Sequence, residues 1–208
     1  RKALLRMSQG EYAPRSRNPF FLAAYVRMHI APLNVYMHTH GVIAMSSTSK
    51  GTALITGAST GIGAIYADRL ARRGFDLVLV ARSKDKLDAL AQRVTADTGR
   101  KVGVVVADLI NADDLARVEQ VVANTDDLAI LVNNAGVGAG RSFMDADLGD
   151  MTAMIALNVT AATRLAHKAV ERMLPRKSGT VINIASIVAI APELLNAVYG
   201  GSKAYVLA

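Results

Sequence analysis

From residue 52 onward, short apolar runs alternate with longer stretches in which apolar and polar positions follow a helical period. The short runs are rich in valine, isoleucine and leucine and predict buried strands at 52–56, 75–81, 102–107, 128–132 and 180–185. The longer stretches predict amphipathic helices at 62–73, 84–96, 112–123 and 148–174. Apolar strands separated by helices form parallel sheets that are covered on both faces. The pattern therefore predicts a doubly wound α/β domain.

The first 45 residues differ from the rest of the chain, because they lack a sustained period and contain three of the five prolines. We expect a poorly ordered, basic N-terminal extension at 1–45 and a folded domain at 46–208, with Met45 as a natural start. An organelle presequence is the alternative for the extension, since the segment is rich in arginine and poor in acidic residues, although serine is sparse.

The net charge of +7 raises the question of nucleic-acid binding. Six basic residues and one acidic residue lie in the first 45 positions, which therefore carry +5, so residues 46–208 carry only +2. A nearly neutral domain offers little attraction for a phosphate backbone. We expect no nucleic-acid partner.

Composition narrows the class of protein further. Hydrophobic residues make up 51% of the chain and charged residues 20%, which excludes a disordered protein. No apolar run approaches the length of a membrane span, so no membrane partner is expected. The chain has no cysteine and only four histidines, so neither disulfides nor a metal site is predicted, and a cytoplasmic location is expected.

A glycine-rich segment, Thr56-Gly-Ala-Ser-Thr-Gly-Ile-Gly63, joins the first predicted strand to the first predicted helix. Glycines permit a tight turn and a close approach of the backbone, and the N–H groups at a helix start attract a phosphate. An ordinary glycine-rich turn is the alternative, but a strand before and a helix after it favour a phosphate loop. The predicted cofactor-binding residues here are Gly57, Ser59, Thr60, Gly61, Ile62 and Gly63.

The second predicted strand is followed by Arg82, where a carboxylate would bind the adenosine ribose of NAD. Asp76 opens that strand and so lies at the wrong end of the sheet. A guanidinium suits the 2′-phosphate of NADP, which it can bind through two hydrogen bonds. We therefore expect NADP rather than NAD, with Ser59, Thr60 and Ser83 as helpers. The alternative is a solvated loop arginine.

Polar residues also follow the third and fourth predicted strands. Asp108 and Leu109 come after the third strand, and Asn134, Ala135 and Gly136 come after the fourth. By themselves these residues are also typical of caps and turns. Because ligands bind beyond the carboxyl ends of the strands in such sheets, these positions are candidates for a binding site.

Four further polar residues are candidates for catalysis. Asn158 falls on the apolar stripe of the long helix, Ser186 follows the fifth strand, and Tyr199 and Lys203 are four residues apart on a predicted helix. Phenols have a pKa of about 10 in water, and a neighbouring ammonium favours the phenolate. Alone, each residue has an ordinary structural explanation, such as a satisfied core asparagine or an exposed helix face.

The spacing Gly-x-x-x-Gly-x-Gly, the segment Asn-Asn-Ala-Gly and the ordered residues Asn158, Ser186, Tyr199 and Lys203 resemble those of the short-chain dehydrogenase/reductase family. The resemblance implies a Rossmann-type sheet and an NADP-dependent interconversion of an alcohol with a ketone or aldehyde. In the family's reaction, Tyr199 donates the proton, Ser186 fixes the carbonyl, Lys203 activates the tyrosine and contacts the ribose, and Asn158 orders a relay water. Tyr199 and Lys203 are therefore also expected among the cofactor-binding residues. It also implies that Asp108 contacts the adenine, that Asn134 to Gly136 shape its pocket, and that the full-length protein is a homo-oligomer.

The chain stops within the tyrosine helix, whereas the family continues with further strands and a substrate-binding lid. We therefore expect a sheet that is incomplete at its C-terminus, and a chain that by itself turns over slowly or not at all. A non-catalytic NADP-binding regulator with the same fold is the alternative function. The reactive residues discriminate between the two, because a sensor has no chemical need for them.

Overall fold

A computed structural model describes residues 48–140, 143–191 and 197–208. The N-terminal extension predicted at 1–45 lies outside the described residues and stays a prediction.

Strands and helices alternate along the described chain as the pattern predicts, and their ends agree with the predicted ones within two residues. The strands are β1 (Thr52–Thr56), β2 (Asp76–Ala81), β3 (Val102–Val106), β4 (Leu128–Asn133) and β5 (Thr180–Asn183). The helices are α1 (Gly61–Arg72), α2 (Lys84–Thr98), α3 (Ala112–Asn124), α4 (Leu148–Ile155), α5 (Ala162–Met173) and α6 (Ala197–Leu207). None of these described helices combines the length and hydrophobicity that crossing a membrane requires.

The five strands form one parallel sheet in the order β3-β2-β1-β4-β5. The chain moves outward from β1 to β3, then crosses back to place β4 on the other side of β1. The strand order reverses at this point, and open sheets of this kind bind ligands outside the carboxyl ends of the strands there. The Rossmann-type sheet predicted from the sequence is confirmed.

Helices cover both faces of the sheet and create two apolar cores. Alternate residues of β1 enter different cores, with Ile55 in one and Leu54 in the other. The first core is completed by α1 and α2, through Ala67, Leu70, Leu87, Leu90 and Val94. The second is completed by α3 and α5, through Leu115, Val118, Val122, Leu165 and Ala169. Burial on both sides explains why the central strands β1, β2 and β4 are largely apolar.

The long helix predicted at 148–174 is interrupted by one wide turn. Residues Ala156–Ala161 form a π-helical segment between α4 and α5. Such segments add a residue to a turn and are frequent at functional sites. Asn158 lies in this segment and is buried, so the irregular backbone coincides with the polar residue on the apolar stripe.

The turn after β1 is tightly packed against the start of α1. Gly57 has φ +63°, in the left-handed region that favours glycine. A Cβ added to Gly63 would lie 2.4 Å from the carbonyl oxygen of Gly57 and 2.6 Å from Nδ2 of Asn134. The helix can begin this close to the loop only because residue 63 has no side chain.

We expect Gly63→Ala to lower the free energy of unfolding by about 1–3 kcal/mol, because the added methyl group meets backbone that must shift. Urea denaturation measures the effect. Gly201→Ala is the matched control: the residue lies in α6 with nothing within 4 Å of the added Cβ, so alanine raises stability by about 0.5–1 kcal/mol. A Gly63→Ala variant as stable as the wild type would contradict the packing described here.

Candidate active site

A cleft of about 470 Å³ opens at the carboxyl edge of the sheet. Its volume lies in the range of small-molecule sites. The loops after β1, β2, β3 and β4 all contribute to its wall. The structure brings together in this cleft ten of the predicted cofactor-binding residues, namely Gly57, Ser59, Thr60, Ile62, Arg82, Asp108, Leu109, Asn134, Ala135 and Gly136.

Four other predicted cofactor-binding residues are absent from the cleft lining. Gly61 has φ +56° and shapes the turn, whereas Gly63 packs behind it against Gly57. Tyr199 and Lys203 lie on α6. The two glycines thus contribute through backbone conformation and packing, and α6 belongs to a neighbouring part of the site.

Sequence reasoning missed several residues of the lining. It named Ser83 as a helper but did not identify Val80, Ala81, Lys86, Ala107, Val137 or Leu157. A signal for Lys86 was available, because it lies in the first turn of a predicted helix that begins directly after Ser83. No comparable signal marks Leu157, which comes from the π-helical segment.

The start of α1 is available to an anion. Thr60 precedes the helix in an extended conformation without a side-chain cap, and no acidic residue occupies the first turn. By contrast, Asn111 caps α3 and Asp147 caps α4 through side-chain oxygens. Unpaired N–H groups and the positive end of the helix dipole favour a phosphate at α1.

Asn134 ties the loop after β4 to the loop after β1. Its Nδ2 donates to the carbonyl oxygens of Thr56 (2.9 Å) and Gly57 (3.0 Å). In return, the N–H groups of Asn134 and Ala135 both donate to Oγ1 of Thr56 at 3.0 Å. The two loops therefore form one hydrogen-bonded unit at the mouth of the cleft.

Asp108 and Asp76 lie at opposite ends of their strands, as their positions in the sequence predict. Asp108 lines the cleft, and its Oδ1 accepts a hydrogen bond of 3.1 Å from the N–H of Ile110. This residue is therefore both a turn residue and part of the lining. Asp76 lies at the start of β2, where its Oδ1 accepts from the N–H of Lys101 at 3.0 Å. The residue directly after β2 is Arg82 and not a carboxylate.

Asn158 is 2% exposed and connects two parts of the site. Its Oδ1 accepts from the N–H of Val137 (3.0 Å), and its Nδ2 donates to the carbonyl of Val137 (2.9 Å) and to Oγ of Ser202 (3.1 Å). The buried amide is thus satisfied, as buried polar groups usually are. Its expected contact with a relay water stays a prediction.

Ser202, which sequence reasoning did not identify, continues this connection. The hydroxyl is buried, accepts from Asn158 and donates to the carbonyl oxygen of Tyr199 at 2.8 Å. The π-helical segment is therefore joined to the backbone of the residue predicted to donate the proton.

Lys203 is 7% exposed, and its Nζ donates to the carbonyl oxygen of Ile184 at 2.8 Å. Burial lowers the pKa of this lysine below its ordinary value of 10.5. Within the described part of the chain, no carboxylate forms an ion pair with it. Among the described contacts, the Lys203 ammonium is therefore held by a backbone carbonyl directly after β5.

The loop after β4 runs between the cleft and α6. A Cβ on Gly136 would lie 3.0 Å from Oδ1 of Asn158 and 3.4 Å from Nζ of Lys203, and one on Gly138 would lie 3.8 Å from Cζ of Tyr199. Ser186 begins the short turn Ile187–Ala189, which contacts α6. Because Gly136 also lines the cleft, the predicted catalytic cluster adjoins the predicted cofactor site.

We expect the stability gap between wild type and Lys203→Met to depend on pH. The folded state releases the Lys203 proton at lower pH than the unfolded state, so the unfolded state binds more protons between the two pKa values. As the pH rises from neutral toward 10.5, the wild type should therefore gain stability relative to the variant. Urea denaturation of both proteins across this range measures the gap. Parallel pH curves would show that burial does not penalise the ammonium.

Comparison with known proteins places this geometry in a family. The sequence profile described as short chain dehydrogenase matches residues 51–208. Human 17-beta-hydroxysteroid dehydrogenase type 3 is 34% identical over 159 residues, which cover 75% of this chain and 51% of that protein. The chain thus spans about half the length of this curated relative.

Solved structures agree with the sequence comparison. The bulky-bulky ketone specific alcohol dehydrogenase from Comamonas testosteroni is 45% identical with a TM-score of 0.75, over 77% of this chain and 64% of that one. A short-chain dehydrogenase from Sphingobium yanoikuyae in complex with NADPH is 46% identical with a TM-score of 0.74, over 76% of this chain and 62% of that one. A profile match across most of the chain, on a sheet of this topology, shows that the chain belongs to the short chain dehydrogenase family of oxidoreductases.

Proposed function

We propose that the chain is the NADP-binding and catalytic part of an oxidoreductase that interconverts an alcohol and a ketone or aldehyde. One observation carries the proposal: Gly136 lines the cleft and also lies beside Asn158 and Lys203. A group bound along this wall would therefore meet the residues that the family motif marks as reactive.

The side chains at the cleft favour NADP over NAD. Arg82 lines the cleft directly after β2, and Asp76 is bonded at the far end of that strand. A guanidinium attracts a 2′-phosphate, whereas NAD is normally selected by a carboxylate at this place. The Sphingobium relative, which is solved with NADPH, supports the same choice.

The residues near α6 suit proton transfer to a carbonyl oxygen. When bound, the reduced nicotinamide supplies the hydride that reaches the carbonyl carbon. In the proposed reduction, the hydroxyl of Tyr199 gives its proton to the carbonyl oxygen while the hydroxyl of Ser186 donates a hydrogen bond to it. The Lys203 ammonium stabilises the tyrosinate left behind, and Asn158 with Ser202 holds α6 against the loop after β4.

The relatives support a class of substrate for this chain, and their greater length bears on its turnover. Two of the relatives are named for hydroxysteroids and for bulky ketones, which supports a small-molecule alcohol or carbonyl substrate. Because 208 residues span only part of these proteins, we expect the chain alone to bind NADPH but to turn over slowly or not at all. Homo-oligomer formation and a cytoplasmic location stay predictions.

The test is carbonyl-dependent oxidation of NADPH over a panel of ketones, run on the 208-residue chain and on any longer product of its reading frame. We expect Tyr199→Phe to lower kcat by about 100- to 10,000-fold, since the proton donor is lost. Tyr205→Phe is the matched control on the same helix, because that exposed phenol is bonded to Thr163. Undiminished turnover in Tyr199→Phe, or NADPH binding without turnover in every product, would contradict the proposal.

A further inference from the structure

We propose that Lys86 is a second cation for the 2′-phosphate of NADP, beside Arg82, and helps to set the preference for NADP over NAD. The inference rests on the proposed function and adds a residue that neither the sequence motifs nor the comparisons assign. It follows from the position of Lys86 in the cleft and from the ion pairs of its neighbours.

Lys86 reaches the same wall of the cleft as Arg82 and Ser83. It is the third residue of α2, and Ser83 is the residue that precedes the helix. The N–H of Leu87 bonds to the carbonyl of Ser83 at 3.1 Å, so the turn that joins Ser83 to Lys86 is formed. The end of β2 and the first turn of α2 therefore place a guanidinium, a hydroxyl and an ammonium on one surface.

The neighbouring lysine shows the alternative arrangement. Lys84 forms an ion pair with Asp88 one turn along α2 and does not line the cleft. In the described part of the chain, neither Arg82 nor Lys86 pairs with a carboxylate. Lys86 thus lines the cleft without a carboxylate partner, whereas Lys84 lies outside the cleft with one.

The charge balance of the cleft agrees with a dianionic ligand at this end. Its charged lining residues are Arg82, Lys86 and Asp108, and one oxygen of Asp108 already accepts from the N–H of Ile110. Asp85, the acidic residue in the first turn of α2, is exposed and does not line the cleft. The cleft lining therefore contains two cations and one carboxylate, and it carries a net positive charge.

The start of α2 adds to this attraction. Ser83 makes no side-chain cap hydrogen bond to the helix, so its hydroxyl is not committed to the backbone there. Hydrogen bonds to a charged phosphate from lysine, arginine and hydroxyl groups are stronger than those between neutral groups. A phosphate on the ribose 2′ position, absent from NAD, is the chemical group that this set would recognise.

The experiment measures the dissociation constants of NADPH and NADH by isothermal titration calorimetry on the 208-residue chain and on single variants. We expect Lys86→Gln to weaken NADPH binding by about 10-fold, the loss of one charge-assisted contact, and to leave NADH binding unchanged. Arg82→Gln should do the same, and Lys86→Arg should retain the preference. Lys84→Gln is the matched control and should change neither constant, because its charge is paired with Asp88.

A second measurement isolates the phosphate. Adenosine 2′,5′-bisphosphate should lose affinity in Lys86→Gln, and adenosine 5′-monophosphate should not. An unchanged ratio of NADPH to NADH affinity in Lys86→Gln, or an equal loss for both dinucleotides, would overturn the inference and leave the proposed function standing. Failure of the wild-type chain to bind either dinucleotide would overturn the proposed function itself, and the inference with it. Urea denaturation of each variant shows whether folding is preserved.

Discussion

The buried amide of Asn158 is the interaction that joins the two halves of the site. It holds both backbone groups of Val137, which lines the cleft, and it donates to Ser202, which holds the backbone of Tyr199. A buried polar group of this kind destabilises the fold when it is unpaired, and it makes the local structure rigid when all its partners are present. The loop that lines the cleft and the tyrosine helix are therefore joined through two side chains, Asn158 and Ser202.

A second constraint is electrostatic. The carboxyl edge of the sheet presents an uncapped helix start at α1, Arg82 and Lys86 at the cleft, and the buried ammonium of Lys203 behind it. Desolvation lowers the pKa of Lys203, so the fold holds this group where its charge is disfavoured. Such arrangements concentrate at sites that bind anions or move protons.

Much of the fold could be predicted because parallel α/β sheets leave a strong local signal. Strands that are buried on two faces are mostly apolar, and the helices between them are amphipathic. The ends of these elements were therefore predicted to within two residues. The wide turn at 156–161 was not predicted, because one helical period was applied to the whole of 148–174 and periodicity alone does not show where a turn widens. Strand β5 ends earlier than expected, since its neighbour β4 ends at Asn133, which pairs with Asn183.

The sequence by itself determined which residues follow each strand and hence which meet at one edge, as with Gly57, Arg82 and Asn134. Local order suffices for this, because parallel strands align their carboxyl ends. Only the tertiary structure decided that Ser202 bridges Asn158 to Tyr199 and that Gly63 packs behind the turn. The contacts of Asn158 with Ser202 and of Gly63 with Asn134 join residues far apart in the chain, and helical or strand periodicity defines a face without defining what lies across it.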